Sequence, residues 1–127
     1  MIDDLLKSPR TNTLIVRSGL IRLKVNHDLK ACLAEIGPQP GCYLFLNARK
    51  QILYVGKAKH LRKRVSSYFR NSQNHRIATL LSETDSIKTF ICASEKEALI
   101  LEYNLIKSHH PKFNVLLKDD KRFPYIG

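Results

Sequence analysis

The sequence predicts an α+β domain built on a small antiparallel sheet. Three observations carry that reading. Short β-branched and aromatic runs come in pairs around tight turn signals, as antiparallel strands do. Stretches with apolar residues three and four apart, and with capping residues ahead of them, alternate with those runs. The chain has 127 residues, enough for one genuine core and too few for two.

Taken in order, residues 13–25, TLIVRSGLIRLKV, read as a hairpin turning at Ser18-Gly19. Asn26 then caps a helix over HDLKACLAEI, with Leu29, Leu33 and Ile36 on one side. GPQPG, residues 37–41, halts it, because two prolines and two glycines in five residues cannot continue a helix. This places a boundary between an N-terminal extension, residues 1–37, and a second unit, residues 38–127. CYLFLN and ILYVG form a second hairpin around ARKQ. A helix over 60–70 carries Leu61, Val65, Tyr68 and Phe69 at helical spacing, and another covers 74–82. SIKTFICA is a strand, and Ser94 with Glu97 opens a third helix as a capping box. That helix ends before Pro111, with His109 and His110 at its C-terminus. The tail holds a short apolar strand or turn in KFNVLL, an Asp119-Asp120 turn read as solvated, and a last extended piece.

Charge then narrows the function. Lys and Arg number 22 against 11 Asp and Glu, giving +11. That imbalance calls for a polyanionic partner. The apolar runs are far too short to span a membrane, and the N-terminus lacks an apolar signal core, so no membrane role and a cytoplasmic location are expected. Cys32, Cys42 and Cys92 are widely spaced without a CxxC pair, and read as reduced buried thiols. From Ala48 through Ser82 there are nine Lys or Arg residues and no acid. An ordinary surface helix would intersperse both signs, so this window reads as a phosphate-binding surface.

Glu102 adds a second signal. On the helix beginning at Glu95 it falls within the apolar stripe of Ala98, Leu101, Leu105 and Ile106. A carboxylate facing a core needs compensation, either from a basic side chain or from a metal ion. The acids at Glu95 and Glu97 need none, because a first helical turn favours negative charge.

GCY at 41–43 and YVG at 54–56 resemble the GIY-YIG nuclease signature. With PGCYLF, ILYVGKAKHLRKRVSSYF, SEKEALILEYNLIK, PKFNVLLKDDK and FPYI, residues 38–126 closely resemble the amino-terminal nuclease domain of UvrC, the bacterial excision-repair subunit. Cys42 stands where that signature usually has Ile or Val. The resemblance implies a GIY-YIG fold, a mostly antiparallel three-stranded sheet flanked by helices, to which the N-terminal hairpin and helix are extra.

It also implies a metal-dependent DNA endonuclease that hydrolyses a phosphodiester in one strand, at the incision step of nucleotide excision repair. The rival readings are a non-catalytic nucleic-acid-binding module and a domain recruiting a repair partner. Tyr43, Tyr54, Lys57, Arg64, Tyr68 and Asn114 occupy the catalytic motif positions, and Glu102 that of the ligand to one Mg²⁺ or Mn²⁺. Arg64 would hold a phosphate oxygen and Lys57 would face the water or phosphate. Tyr54 would be the general base; ionising a free phenol at pH 7 costs about 4 kcal/mol, so either the surrounding cations (Lys57, Arg64 and the metal) favour its phenolate or it relays the proton without losing its own first. Lys59, Arg62, Lys63 and Arg70 would contact DNA backbone, while Gly41 and Gly56 allow close approach of backbone or phosphate. The partners implied are DNA and a UvrB-like damage-loading subunit, with the chain itself a monomer.

Overall fold

The computed structural model describes residues 15–23 and 29–117. Four strands form one antiparallel sheet: β1 (Ile15–Arg22), β2 (Gly41–Leu46), β3 (Ile52–Ala58) and β4 (Ser86–Cys92), in the order β1-β4-β2-β3. The helices are α1 (Leu29–Ala34), α2 (Leu61–Arg70), α3 (His75–Glu83), α4 (Glu95–His109) and α5 (Lys112–Leu117). The Asn26 cap, the Asp119-Asp120 turn and the final extended piece lie outside the described residues.

The sheet has four strands where three were expected, and the reason corrects the N-terminal hairpin. Ser18-Gly19 is no turn. Both residues continue through β1, which pairs with β4 from Ile15 opposite Cys92 to Arg22 opposite Ser86. A Ser-Gly pair permits a turn, but seven long-range pairings along β4 outweigh a marginal two-stranded ribbon. A second correction concerns KFNVLL. It forms the short helix α5, not a strand or turn, directly after Pro111.

The remaining elements follow their local chemistry. The β2–β3 turn is organised by Asn47, whose Oδ1 accepts from the Arg49 and Gln51 N–H groups at 2.9 Å each. His60 caps α2 through Nδ1, and Asn74 caps α3 by accepting from Arg76 and Ile77 N–H. Ser94 Oγ accepts from Glu97 N–H, as the capping pattern predicts. His110 closes α4 in the left-handed conformation, φ 45°.

Strand alternation divides the interior in two. Tyr43, Phe45, Tyr54 and Ala58 face one side, where they meet Leu61, Val65 and Tyr68 of α2, Ile77 and Leu80 of α3, and Cys32 and Ile36 beside α1. Cys42, Leu44, Leu46, Val55, Phe90 and Cys92 face the other, against Ala98, Leu101 and Leu105 of α4. Cys42 is fully buried there and its thiol donates to the Ala98 carbonyl at 3.0 Å. All three cysteines are buried and free.

GPQPG does not float between units. Gly37 and Gln39 carbonyls accept from Arg62 and Leu61 N–H, and the Pro40 carbonyl accepts from Cys92 N–H at 2.9 Å. The stop signal therefore fastens α1 to the start of α2 and to the end of β4.

Candidate active site

Strand β3 is an edge, and its outward backbone groups would ordinarily be left to solvent. Two side chains take the place of a neighbouring strand. Asn114, from α5, accepts from Val55 N–H through Oδ1 at 2.8 Å and donates to the Val55 carbonyl through Nδ2 at 2.9 Å. Glu102, from α4, accepts from Lys57 N–H through Oε2 at 3.0 Å. Both side chains are thereby fixed on the strand that carries Tyr54, Gly56 and Lys57.

On the opposite face of the same strand lies an aromatic cluster. Tyr43, Tyr54 and Tyr68 stand with ring centroids 5.6–6.3 Å apart. Phe45 packs edge-on against Tyr68 at 5.0 Å. The Tyr43 and Tyr68 hydroxyls share a 2.7 Å hydrogen bond. Arg64 lies one helical turn before Tyr68, so both project on the same face of α2. Its Nε donates to the Tyr43 hydroxyl at 3.3 Å and its guanidinium sits 5.5 Å from the Tyr68 ring centroid.

Gly56 has a more specific role than close approach of phosphate. Tyr43 and Gly56 are cross-strand partners, and a Cβ at Gly56 would lie 2.3 Å from both Cζ and Oη of Tyr43. The missing side chain is the space the Tyr43 ring occupies. At Gly41 a Cβ would meet the Phe90 carbonyl oxygen at 2.0 Å, so this glycine lets β2 approach β4.

Burial dominates the electrostatics of the tyrosine cluster. Burial pushes the Tyr54 phenol well above its ordinary value, with further upward pressure from Tyr43; the Tyr68 contact and the Arg64 charge pull back without reversing it. Tyr43 and Tyr68 are raised for the same first reason. At all three phenols desolvation outweighs the pull of the Arg64 guanidinium. Burial opposes the Arg64 charge, yet the tyrosine oxygens around it hold the guanidinium protonated. Burial raises the Glu102 carboxyl, against which Lys57, its backbone N–H and Arg64 act to lower it. Glu102 in turn acts electrostatically on Tyr43 and Tyr54.

The structure thus brings together Tyr43, Tyr54, Lys57, Arg64, Tyr68, Glu102 and Asn114 around one segment of β3. Lys59, Arg62, Lys63 and Arg70 are exposed. Arg62 also has an internal role, since its Nε donates to the Ile36 carbonyl at 2.6 Å. Sequence reasoning missed Phe45, which packs against all three tyrosines of the cluster. The alternation of 41, 43 and 45 along β2 was the available signal. It also missed a cavity beside Arg64 and Tyr68, whose other walls are Ser67, Asn71, Gln73, Asn74 and Ile77.

No group of three or more His, Cys, Asp or Glu side chains suited to a metal occurs among the described residues. Glu102 is the one carboxylate among the seven residues gathered at β3, and a cation held by it would complete its shell with water and phosphate oxygens. Such a shell fits a hard divalent ion that keeps several waters.

Comparison with known proteins gives a consistent picture. A family model described as the UvrC-like GIY-YIG domain matches residues 39–115. UvrABC system protein C of Mesoplasma florum is 52% identical over 99 residues, which are 78% of this chain and 17% of that protein. Its counterpart in Mycoplasma mycoides subsp. mycoides is 56% identical over the same length and shares. The chain thus spans about a sixth of the length of these relatives. The crystal structure of the GIY-YIG N-terminal endonuclease domain of UvrC from Thermotoga maritima, bound to its catalytic divalent cation, magnesium, has a TM-score of 0.63 at 36% identity. That match covers 70% of this chain and 98% of the other.

Proposed function

The chain belongs to the UvrC-like GIY-YIG domain family, and on that premise we propose that it is a divalent-metal-dependent DNA endonuclease that hydrolyses one phosphodiester of a single strand. Its products carry a 5′-phosphate and a 3′-hydroxyl, and its task is the incision step of nucleotide excision repair. The observation that carries the proposal is the meeting of Glu102 and Arg64 at β3, one from each face, around a buried tyrosine cluster. A surface that merely bound phosphate would gain nothing from a carboxylate in its cationic site.

Each residue then has a task. Glu102 holds one divalent ion, Mg²⁺ or Mn²⁺, with Oε2 braced by the Lys57 N–H. When bound, that ion supplies charge stabilisation to the oxygen leaving the phosphorus. Arg64, kept charged and aimed by the Tyr43 hydroxyl, binds a non-bridging oxygen of the phosphate. Lys57, on the Glu102 side of β3, neutralises charge at the same phosphate. Tyr43 and Tyr68 fix the guanidinium and orient water. Asn114 holds the strand in place.

Tyr54 acts on the attacking water. Ionising an ordinary phenol at pH 7 already costs about 4 kcal/mol, and burial here adds to that. A phenolate formed beforehand is therefore disfavoured. Tyr54 works as a relay: its oxygen takes the proton of the water as the new bond to phosphorus forms, while its own hydroxyl proton passes to a non-bridging oxygen of the same phosphate.

Lys59 just ahead of α2, with Arg62, Lys63 and Arg70 on it, holds the DNA backbone without reading sequence. Residues 38–127 form the catalytic unit, working as a monomer, while residues 1–37 form an extension that adds a strand to its sheet. The basic surface and the absence of a membrane-length apolar helix among the described residues suit a cytoplasmic DNA enzyme served by a UvrB-like loading subunit.

The test is a gel nicking assay on duplex DNA, with Mg²⁺ or Mn²⁺ and with EDTA. Metal-dependent single-strand cuts are expected from the wild-type chain and none from Glu102→Gln, which still binds DNA by fluorescence anisotropy. Full activity in Glu102→Gln removes that residue from the site.

A further inference from the structure

A cavity of about 360 Å³ opens between the C-terminal end of α2 and the start of α3. Arg64 and Tyr68 form one wall, shared with the candidate active site. Ser67, Asn71, Gln73, Asn74 and Ile77 form the rest. We propose that this cavity receives the base of the nucleotide next to the cleaved phosphate, turned out of the helix. The proposal rests on the nuclease reading of Arg64 and names a substrate contact beyond it.

Position comes first. A phosphate held by Arg64 has its neighbouring nucleotide within one sugar's reach, and Arg64 lines both places. The lining comes second. Tyr68 and Ile77 are buried to within 3% and offer an aromatic and an aliphatic surface. Three carboxamides stand around them, and a carboxamide carries both donors and an acceptor, as base edges do. The Oδ1 of Asn74 is already committed to Arg76 and Ile77 N–H, so Asn74 presents its NH₂ donors. Asn71 and Gln73 are exposed and present both kinds of group.

The lining also discriminates among ligands. Arg64 is the one cation among the described residues that line the cavity, and no carboxylate does. A second phosphate would call for more positive charge than this. A flat, amide-edged, half-apolar slot suits a base. The wall is preset as well. Asn74 N–H donates to the Asn71 carbonyl at 3.0 Å and Asn71 N–H to the Ser67 carbonyl at 3.0 Å, which closes the turn between the two helices. A base paired within a duplex cannot enter, so the occupant is unpaired, and substrates with an unpaired nucleotide beside the cut site are favoured.

The experiment uses the full chain and a duplex whose cut site has been mapped. 2-Aminopurine is placed on either side of that site and, as a control, several nucleotides away. Binding is followed by anisotropy and by 2-aminopurine emission in EDTA, which keeps the DNA uncut; nicking is followed in Mg²⁺. Emission at one flanking position is expected to rise on binding and to stay flat at the control position. Gln73→Ala and Asn71→Ala should each suppress that rise and lift KM about five- to tenfold, the loss of one hydrogen bond, with a smaller change in kcat. Flat emission at both flanking positions, with DNA bound and nicked, overturns the base pocket and leaves the nuclease reading standing. A rise in emission without nicking supports base capture and overturns the cleavage reading. DNA that neither binds nor is cut overturns both.

Discussion

Gly56→Ala is expected to disable the site through one methyl group. The new Cβ would sit 2.3 Å from Cζ and Oη of Tyr43. Tyr43 is almost wholly buried, between Phe45, Tyr54 and Tyr68, so the ring has no solvent to move into. Ordinary contact begins at 3.4 Å, so ring or strand must shift by about 1 Å. Overpacking of this kind costs about 1–3 kcal/mol, a fall in Tm of about 5–10 °C for a domain of this size. The catalytic effect is larger. The same ring carries the hydroxyl that receives Arg64 Nε at 3.3 Å and meets Tyr68 at 2.7 Å. Misplacing a positioned group by about 1 Å costs on the order of 10²-fold in rate. Single-turnover nicking in Mg²⁺ measures that loss, and differential scanning fluorimetry measures the Tm. If Gly56→Ala cuts at the wild-type rate, Tyr43 does not aim Arg64 and the proposed site geometry fails.

Four further outcomes are expected. Tyr54→Phe should lower the single-turnover rate by about 10²–10⁴-fold; an unchanged rate would assign water activation to a group other than this phenol. Asn114→Ala leaves both Val55 backbone groups without their partner and should cost about 1–3 kcal/mol for each group left unsatisfied, read as reduced Cm in urea together with slower nicking. DNA affinity should fall steeply between 50 and 200 mM salt, and a flat dependence would favour a protein-recruiting role instead. Alkaline stability follows from the tyrosines. Tyr43, Tyr54 and Tyr68 are raised above the unfolded value of 10.0, so the folded chain holds their protons more tightly. The stability this contributes is fully present below pH 10 and is lost as pH rises from there through the raised folded values. Urea midpoints that stay level from pH 9 to 11 would show the phenols to be solvated.

What the sequence made legible were features with local causes. The β2–β3 hairpin, the cap at Ser94, and the helix end before Pro111 each depend on a few adjacent residues, and each stands where those residues place it. Glu102 was legible because a carboxylate within an apolar stripe needs a partner. The structure supplies one that periodicity cannot show, the backbone N–H of Lys57, 45 residues earlier. β1 was misread because Ser18-Gly19 is a turn signal judged locally, whereas its real partner is β4, some 70 residues away. The choice between a phenolate and a proton relay at Tyr54 was not legible, because charges can be counted along a chain and burial cannot. The space filled by Tyr43 over Gly56 depends on cross-strand register, which only the paired strands reveal.

The sheet also serves as a spacer. Glu102 reaches β3 from the side packed on α4, while Arg64 and the tyrosines approach from the side packed on α2. The two halves of the machinery, Glu102 on one face and Arg64 with the tyrosines on the other, are therefore both referenced to the backbone of one sheet. Local opening of β3 would separate the two halves together with the strand, so protection of the Val55 and Lys57 amides against hydrogen exchange would report the fraction of molecules able to cut.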